Sequence, residues 1–397
     1  MSDHHSYALP RCRDGWPIWP PRDPAIIESI ERVWADGDWG RYHSAIHEKC
    51  AAQVADLATC SITSESQLGS PWSEYHERLS ISPDVRLCSS GSAAIELALR
   101  ASGVTAGDEV IVAAYDYPGN FRTIELLGAT PVLADVRSGG VTMDPASLQW
   151  ITGEAIRAVV VSHLYGELAD IAEIRKICDE RNWILIEDAC QTPGAGWRPR
   201  QTTAASDDND SLIPIGALAD VATLSFGGSK LLSAGNGGAI ITRNDRVAAR
   251  LRTYADRPSD VFAFSPLQCA ALIPQLGTLN TYNRTRRESV NRLGNWDWHQ
   301  WNATPLSETT NHQTQAFYKF AIRVDADTER ASVFDRLSRI GLPAGEGFRS
   351  MHATSDRRSR KPVSLDHSRA LGERCVVIDH RVLLADDLIE RLDSIAE

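Results

Sequence analysis

The stretch Thr223-Leu-Ser-Phe-Gly-Gly-Ser-Lys-Leu-Leu-Ser-Ala-Gly-Asn-Gly-Gly-Ala239 decides how this chain is read. An apolar run ends at Ser225, two glycines follow, and a lysine stands just after them. A second glycine-rich turn then leads into another apolar run, 239–242. Small residues between two strands let a ligand approach the backbone. Lys230 is one of only five lysines, with Lys49, Lys176, Lys319 and Lys361. Lys49 and Lys176 fall on helical, solvated faces, Lys319 in a late strand and Lys361 in a polar loop. A lysine shielded from water can act as a nucleophile and form a Schiff base. The competing readings are a surface lysine or a phosphate loop. The loop pattern G-x-x-x-x-G-K-[ST] fails, because Leu231 follows Lys230 and the glycines are misplaced.

Working outward, further apolar runs occur at 85–88, 109–113, 130–134, 158–162, 184–186 and 221–225. Helical stretches at 92–102, 120–127, 145–151, 171–181 and 245–254 alternate with them. This alternation predicts an α/β fold with a large, mainly parallel sheet covered on both faces. Beyond Pro258 the pattern weakens. A helix at 267–276 leads into the charged helical stretch Asn283-Arg-Thr-Arg-Arg-Glu288, then a strand at 317–324, a helix at 329–340, a strand at 375–378 and a helix at 386–395. The division expected is an N-terminal arm with two helices over 1–60, a large domain over 61–257 and a smaller α/β domain over 258–397. The arm, 1–22, is rich in Pro and Trp, and Asp23 before Pro24 is set to cap the first helix. Segments 61–84 and 200–211 read as exposed loops.

Two more segments carry chemistry. Trp183-Ile-Leu-Ile-Glu-Asp-Ala-Cys-Gln191 ends an apolar strand in a carboxylate pair, at the place where open α/β sheets bind ligands. Asp188 there can hold a protonated ring nitrogen such as that of pyridoxal phosphate, or merely cap a helix. Leu87-Cys-Ser-Ser-Gly-Ser-Ala-Ala-Ile95 turns a strand into a helix through Ser and Gly, which aims backbone N–H groups and the helix's positive end at one spot. That is a phosphate site in outline.

Composition narrows the classes. The 397 residues are 43% hydrophobic and 23% charged, with a net charge of −11. Such a chain can bury a large core and has no general electrostatic attraction for nucleic acid or an anionic membrane. It holds no apolar run of membrane-spanning length, and its polar start is not a secretory signal. Eight scattered cysteines without a C-x-x-C pair read as free thiols in a reducing cytoplasm. His43, His47 and Cys50 share one helical face, but no nearby carboxylate completes a metal site. Arg284, Arg286 and Arg287 read as a solvated basic face.

Taken together, these segments resemble the DegT/DnrJ/EryC1/StrS family of pyridoxal-phosphate-dependent sugar and cyclitol aminotransferases, from about Trp16 to the C-terminus. The resemblance is carried by Ser90-Gly-Ser-Ala-Ala94, Gly107-Asp-Glu-Val-Ile-Val112, Gly128-Ala-Thr-Pro-Val132, His163-Leu-Tyr-Gly166, Glu187-Asp-Ala-Cys-Gln191, and Ser225-Phe-Gly-Gly-Ser-Lys230 with Gly235-Asn-Gly-Gly238. Trp16-Pro-Ile-Trp-Pro20 and the Lys230 segment look most like the branch of scyllo-inosose aminotransferases and aminohydroxybenzoate synthases. The resemblance implies the type I fold of pyridoxal-phosphate enzymes, as in aspartate aminotransferase, and a homodimer with sites at the subunit interface. It implies Lys230 as the Schiff-base lysine and Asp188 as the partner of the pyridine nitrogen. Gln191 then lies near the ring hydroxyl and Tyr117 stacks on the ring. Ser92, Ala93 and Ser225 hold the phosphate. His163 lies close to the cofactor or is a satisfied core histidine. Where the family has an Asn reaching the partner's phosphate, this chain has Val261, which leaves the contact to another group such as Arg257.

The activity implied is transfer of an amino group from glutamine or glutamate to a keto-sugar or keto-cyclitol. The alternative is a dehydratase or a non-catalytic regulator on the same scaffold. Dehydratases resembling this family carry a histidine where Lys230 stands, which argues against them. A nicotinamide oxidoreductase would need G-x-G-x-x-G after the first strand, and Cys88-Ser-Ser-Gly-Ser-Ala93 does not supply it. The tryptophans of the arm, Trp16 and Trp19, add an apolar surface that a dimer interface would cover.

Overall fold

The structure is a computed structural model that describes residues 9–62, 68–199, 212–254, 260–339 and 341–396. In chain order its strands are β1 (Asp84–Cys88), β2 (Glu109–Ala113), β3 (Thr130–Ala134), β4 (Ile156–Ser162), β5 (Ile184–Asp188), the short β6 (Gly196–Trp197) and β7 (Ile213–Pro214), β8 (Val221–Ser225) and β9 (Gly238–Thr242). Then come β10 (Ala303–Pro305), β11 (Gln313–Thr314), β12 (Lys319–Val324), β13 (Ala344–Glu346) and β14 (Cys375–Asp379).

Seven of these form the main sheet in the order β1-β9-β8-β5-β4-β2-β3. The pairs β2–β3, β2–β4, β4–β5 and β5–β8 are parallel, and β9 runs against both β1 and β8. All seven coincide with the apolar runs of the sequence. Residues such as Val110, Ile111, Val159, Val160 and Leu185 are wholly buried, because helices cover both faces. Strands β1, β2, β4, β5 and β8 therefore end along one edge, and the turns that leave that edge carry the chemistry-bearing residues.

A second, antiparallel sheet runs β10-β12-β14-β13, and a small third one joins β11 to β6 and β7. The third sheet ties Gly196–Trp197 to Gln313–Thr314 across the expected domain boundary. The two helical stretches expected at 267–276 and 283–288 are one helix, Pro266–Gly294, opened by a capping box between Ser265 and Gln268. Among the described residues no helix is long and apolar enough to cross a membrane.

Several expectations need correction. Segment 61–84 is no plain exposed loop: Leu68, Trp72 and Leu79 are buried, and short helical turns cover Trp72–Tyr75 and His76–Leu79. Its apolar residues are too widely spaced to show a period. Segment 200–211 and Arg257 lie outside the described residues. The basic stretch is only partly solvated. Arg284 is exposed, but Arg286 is fully buried and Arg287 donates to the Gln315 carbonyl at 3.0 Å. Nor is the arm an uncovered apolar surface. Trp16 is buried within its own chain, donates to the Gly341 carbonyl at 2.6 Å and lies under Arg391.

At the other end of the sheet Asp220, just before β8, pins three elements. It accepts from Arg175 at 2.8 Å, from Arg78 at 3.1 Å and from the Leu185 N–H at 2.9 Å. Burial pushes the Asp220 carboxyl up, but both guanidiniums and the N–H outweigh it and hold it below its ordinary value. Asp220→Ala should cost about 3–5 kcal/mol, because Arg175 loses its buried partner. A depressed carboxyl stabilises the fold above its ordinary titration range, and this is lost as pH falls through the folded value. Urea titrations should therefore show the gap between wild type and variant narrowing in acid.

Candidate active site

The helix Gly91–Ala101 starts three residues after β1 and points its N-terminus at the end of β8. Its cap is Ser90, whose Oγ accepts the Ala93 N–H at 3.0 Å. The Ala93 N–H, expected to face a phosphate, is thus used within the helix. The Ser92 side chain lies exposed on the first turn. Gly91 is there because space is lacking: a Cβ would lie 2.7 Å from Ser225 Cβ and 2.8 Å from Ser225 Oγ. The helix N-terminus and Ser225 therefore meet at one spot, with Ser92 exposed on the same first turn, which is the chemistry of an anion cradle.

Asp188 closes β5 and is buried. Its Oδ2 accepts from Asn120 Nδ2 at 2.8 Å and from Ser162 Oγ at 3.2 Å, and its Oδ1 from the Cys190 N–H at 3.1 Å. A second buried carboxylate, Asp116, leaves β2 and accepts from Ser162 Oγ at 2.9 Å and from the Tyr117 N–H at 2.6 Å. Burial, with Asp188 close by, pushes the Asp116 carboxyl up to about 8. The next residue, Tyr117, keeps 40% of its surface exposed and meets Phe348 edge-on.

Lys230 lies beyond β8 in a turn closed by its own N–H to the Gly227 carbonyl, 2.9 Å. Its Nζ sits 4.5 Å from the Tyr318 ring centre and 6.0 Å from that of Tyr117. Among the described residues no carboxylate pairs with it. The backbone of this turn is held from outside: the Trp19 indole donates to the Lys230 carbonyl at 2.8 Å, His380 Nε2 bonds the Ser229 carbonyl at 3.0 Å, and the Tyr318 hydroxyl meets Ser229 Oγ at 3.0 Å. The second glycine turn serves packing rather than ligand approach. Phe264 presses on Gly237, and a Cβ on Gly238 would lie 2.5 Å from the Ser90 carbonyl oxygen.

Gln191 is buried and accepts the Tyr165 N–H at 2.7 Å. His163 is wholly buried with both ring nitrogens used: Nδ1 accepts the Ala169 N–H at 3.0 Å, so Nε2 carries the hydrogen and donates to Glu187 at 2.8 Å. This is the satisfied core histidine, and neither nitrogen is left for a ligand. His47, from the supposed metal face, bonds the Phe264 carbonyl at 2.9 Å. Val261 is 79% exposed. The sequence reading missed Asp116, Asn120, Ser162, Tyr318 and Trp19. For Asp116 a signal existed, an acid one turn beyond an apolar run, as with Asp188.

The chain matches the DegT/DnrJ/EryC1/StrS aminotransferase family over residues 83–395. It belongs to that family. It is 26% identical to an L-glutamine:2-deoxy-scyllo-inosose aminotransferase of Streptomyces paromomycinus, over 94% of this chain and 91% of the relative. It is 28% identical to a GDP-perosamine synthase of Caulobacter vibrioides, over 67% and 72% of the two chains. The crystal structure of 3-amino-5-hydroxybenzoic acid synthase superposes with a TM-score of 0.77 at 24% identity, covering 96% of this chain and 97% of that one. The chain is thus an aminotransferase with the fold of its family.

The crowding at Gly91 gives a test. Gly91→Ala must push the helix off Ser225, and overpacking of this kind costs about 1–3 kcal/mol. Chemical denaturation should show that loss, together with weaker binding of inorganic phosphate.

Proposed function

We propose that this aminotransferase binds pyridoxal 5'-phosphate at the strand edge and moves an amino group from glutamine or glutamate to a keto-sugar or keto-cyclitol. The observation that carries the reading is the placement of Asp188, a buried carboxylate without a cationic partner among the described residues, at the same rim of the sheet as Lys230, close enough that both act on Cys190. Tyr117, on the turn after β2, lies with its ring centre 6.0 Å from the Lys230 amine and offers an open aromatic face. A flat, cationic ring with an anionic tail fits this set: the ring on Tyr117, its nitrogen on Asp188, its phosphate at Ser92, Ser225 and the helix N-terminus.

When bound, the cofactor supplies an electron sink for charge on the donor's α-carbon. Asp188 holds a proton on the ring nitrogen. Lys230 would hold the cofactor through Nζ, and the same amine is placed to act as general base toward the donor's α-proton. The rings of Tyr117 and Tyr318 orient that amine. Gln191 keeps the turn at Tyr165 in place beside it. The glutamine donor and the sugar or cyclitol acceptor are supported by the names of the relatives. The free state of all eight thiols supports a cytoplasmic enzyme.

A homodimer is part of the same proposal. Its support is an exposed aromatic face, in which Trp34 and Trp39 stack at 5.4 Å. Light scattering of the active protein should give twice the chain mass of 43.6 kDa. An active monomer would remove the dimer.

Two substitutions test the site. Borohydride reduction of the loaded enzyme should fix the cofactor on the Lys230 peptide, and Lys230→Ala should abolish both the label and the cofactor's visible absorbance. A label on another lysine would sink the assignment. Asp188→Asn should retain cofactor yet lower turnover with glutamine by at least about a hundredfold, the scale of a lost proton-holding group. Near-normal turnover would take Asp188 out of the reaction.

A further inference from the structure

Asp116 and Asp188 come from different strands, yet both reach the hydroxyl of Ser162, at 2.9 and 3.2 Å. That hydroxyl has one hydrogen and cannot serve two carboxylates. Asn120 Nδ2 donates to Ser162 Oγ at 3.0 Å and to Asp188 Oδ2 at 2.8 Å. With no added proton, one of the two short oxygen–oxygen contacts holds no hydrogen. With one proton on Asp116 Oδ2, every group is used: Asp116 donates to Ser162, Ser162 to Asp188, and Asn120 to both Ser162 and Asp188. Asp188 then receives three donors, counting the Cys190 N–H. A carboxylate with several donors is held as the anion, whereas besides Ser162 Asp116 has the Tyr117 N–H and a share of the Asn120 amide, whose two hydrogens already serve Ser162 and Asp188.

The groups that face the pair agree with this placement. Asp188 on β5 bears on Asp116, and Asp116 in turn bears on the Tyr165 hydroxyl from the turn after β4. From the turn after β8, Lys230 acts on Cys190, beside Asp188. Burial first, and the Asp188 charge second, raise the proton affinity of Asp116.

We infer that Asp116 is a positioning residue that carries a proton and, through Ser162, fixes Asp188 as the anion of the pair. The inference rests on the proposed role of Asp188, but its first test does not need the cofactor. Infrared spectra of the cofactor-free protein with labelled Asp should show a protonated carboxyl stretch at neutral pH. That band should fade with a midpoint near 8 and be missing in Asp116→Asn. Absence of the band in wild type, or its survival in the variant, overturns the inference.

Stability gives a second reading. Between about pH 4 and about pH 8 the folded chain binds this proton and the unfolded chain does not, so stability falls as pH rises through that window. The unfolding equilibrium constant should rise by up to about tenfold per pH unit from this group, and Asp116→Asn should remove that part of the slope. An unaltered slope counts against the proton.

The third reading addresses positioning. Asn can donate from its amide to Ser162 as protonated Asp does. Asp116→Ala should weaken cofactor binding at least about tenfold, the value of one lost bond of this kind, and Asp116→Asn should restore it to within about threefold. Equal losses in both variants would show that the anion of Asp116 is needed, and would overturn the inference. If Asp188→Asn binds and turns over normally while the infrared band is present, the role of Asp188 fails and the proton on Asp116 stands.

Discussion

The hydrogen bond from the Tyr165 N–H to the Gln191 side chain, 2.7 Å long and fully buried, holds the site's architecture together. Tyr165 has φ of 60°, a left-handed conformation that a bulky residue adopts only when its surroundings impose it. Gln191 supplies that imposition from the end of β5. The turn then continues through Gly166, φ 106°, where a Cβ would lie 2.5 Å from the Ala316 carbonyl oxygen and from Phe317 Cα. This close approach lets the Tyr165 carbonyl accept the Tyr318 N–H at 2.9 Å. Tyr318 is thereby set over the amine of Lys230. One side-chain amide thus couples the large sheet, the start of β12 in the antiparallel sheet and the lysine.

The charges are sorted by the same edge of the sheet. The ends of β2, β4 and β5 bring Asp116, Ser162 and Asp188 together on one side, without a cation paired to them among the described residues. The turn after β8 brings an ammonium without a carboxylate partner among the described residues to the other side, and the helix after β1 brings partial positive charge to a third. A parallel sheet makes this separation natural, since each strand delivers its last residue to the same rim. A buried carboxylate without an ionic partner is costly for the fold alone, and groups of this kind concentrate at functional sites.

The parts of the fold that the sequence shows best are those buried on both faces. The runs 109–113 and 130–134 are strands residue for residue, because continuous Val, Ile and Leu bounded by Gly and Asp leaves few other readings. Segment 61–84 was opaque because Leu68, Trp72 and Leu79 are each held by distant neighbours rather than by a local period. Arg286 misled for a related reason. Its burial depends on Trp19, whose ring lies 4.9 Å from the guanidinium, and on His380, contacts spanning much of the chain. The placement of Asp188 at the end of β5 and of Lys230 in the turn beyond β8 is legible from motif and strand position. For Asp116 only the acid beyond an apolar run is legible; its pairing with Ser162 is not, since it comes from facing across two neighbouring strands.

The arm shows how such long-range contacts reach the chemistry. Its tryptophans were expected to be covered by a second subunit, but Trp19 turns inward, meets His380 at 4.9 Å and Tyr282 at 5.8 Å, and donates to the carbonyl of Lys230 itself. His380 accepts from Arg286 at Nδ1 and donates from Nε2 to the carbonyl of Ser229. Burial first, and the Arg286 charge second, hold His380 well below its ordinary value, so it stays neutral and keeps both roles. Two successive carbonyls of the lysine turn are therefore fixed by residues far away in the chain. Both bonds fall on the backbone of the turn and leave the Lys230 amine to its contacts with the Tyr318 and Tyr117 rings.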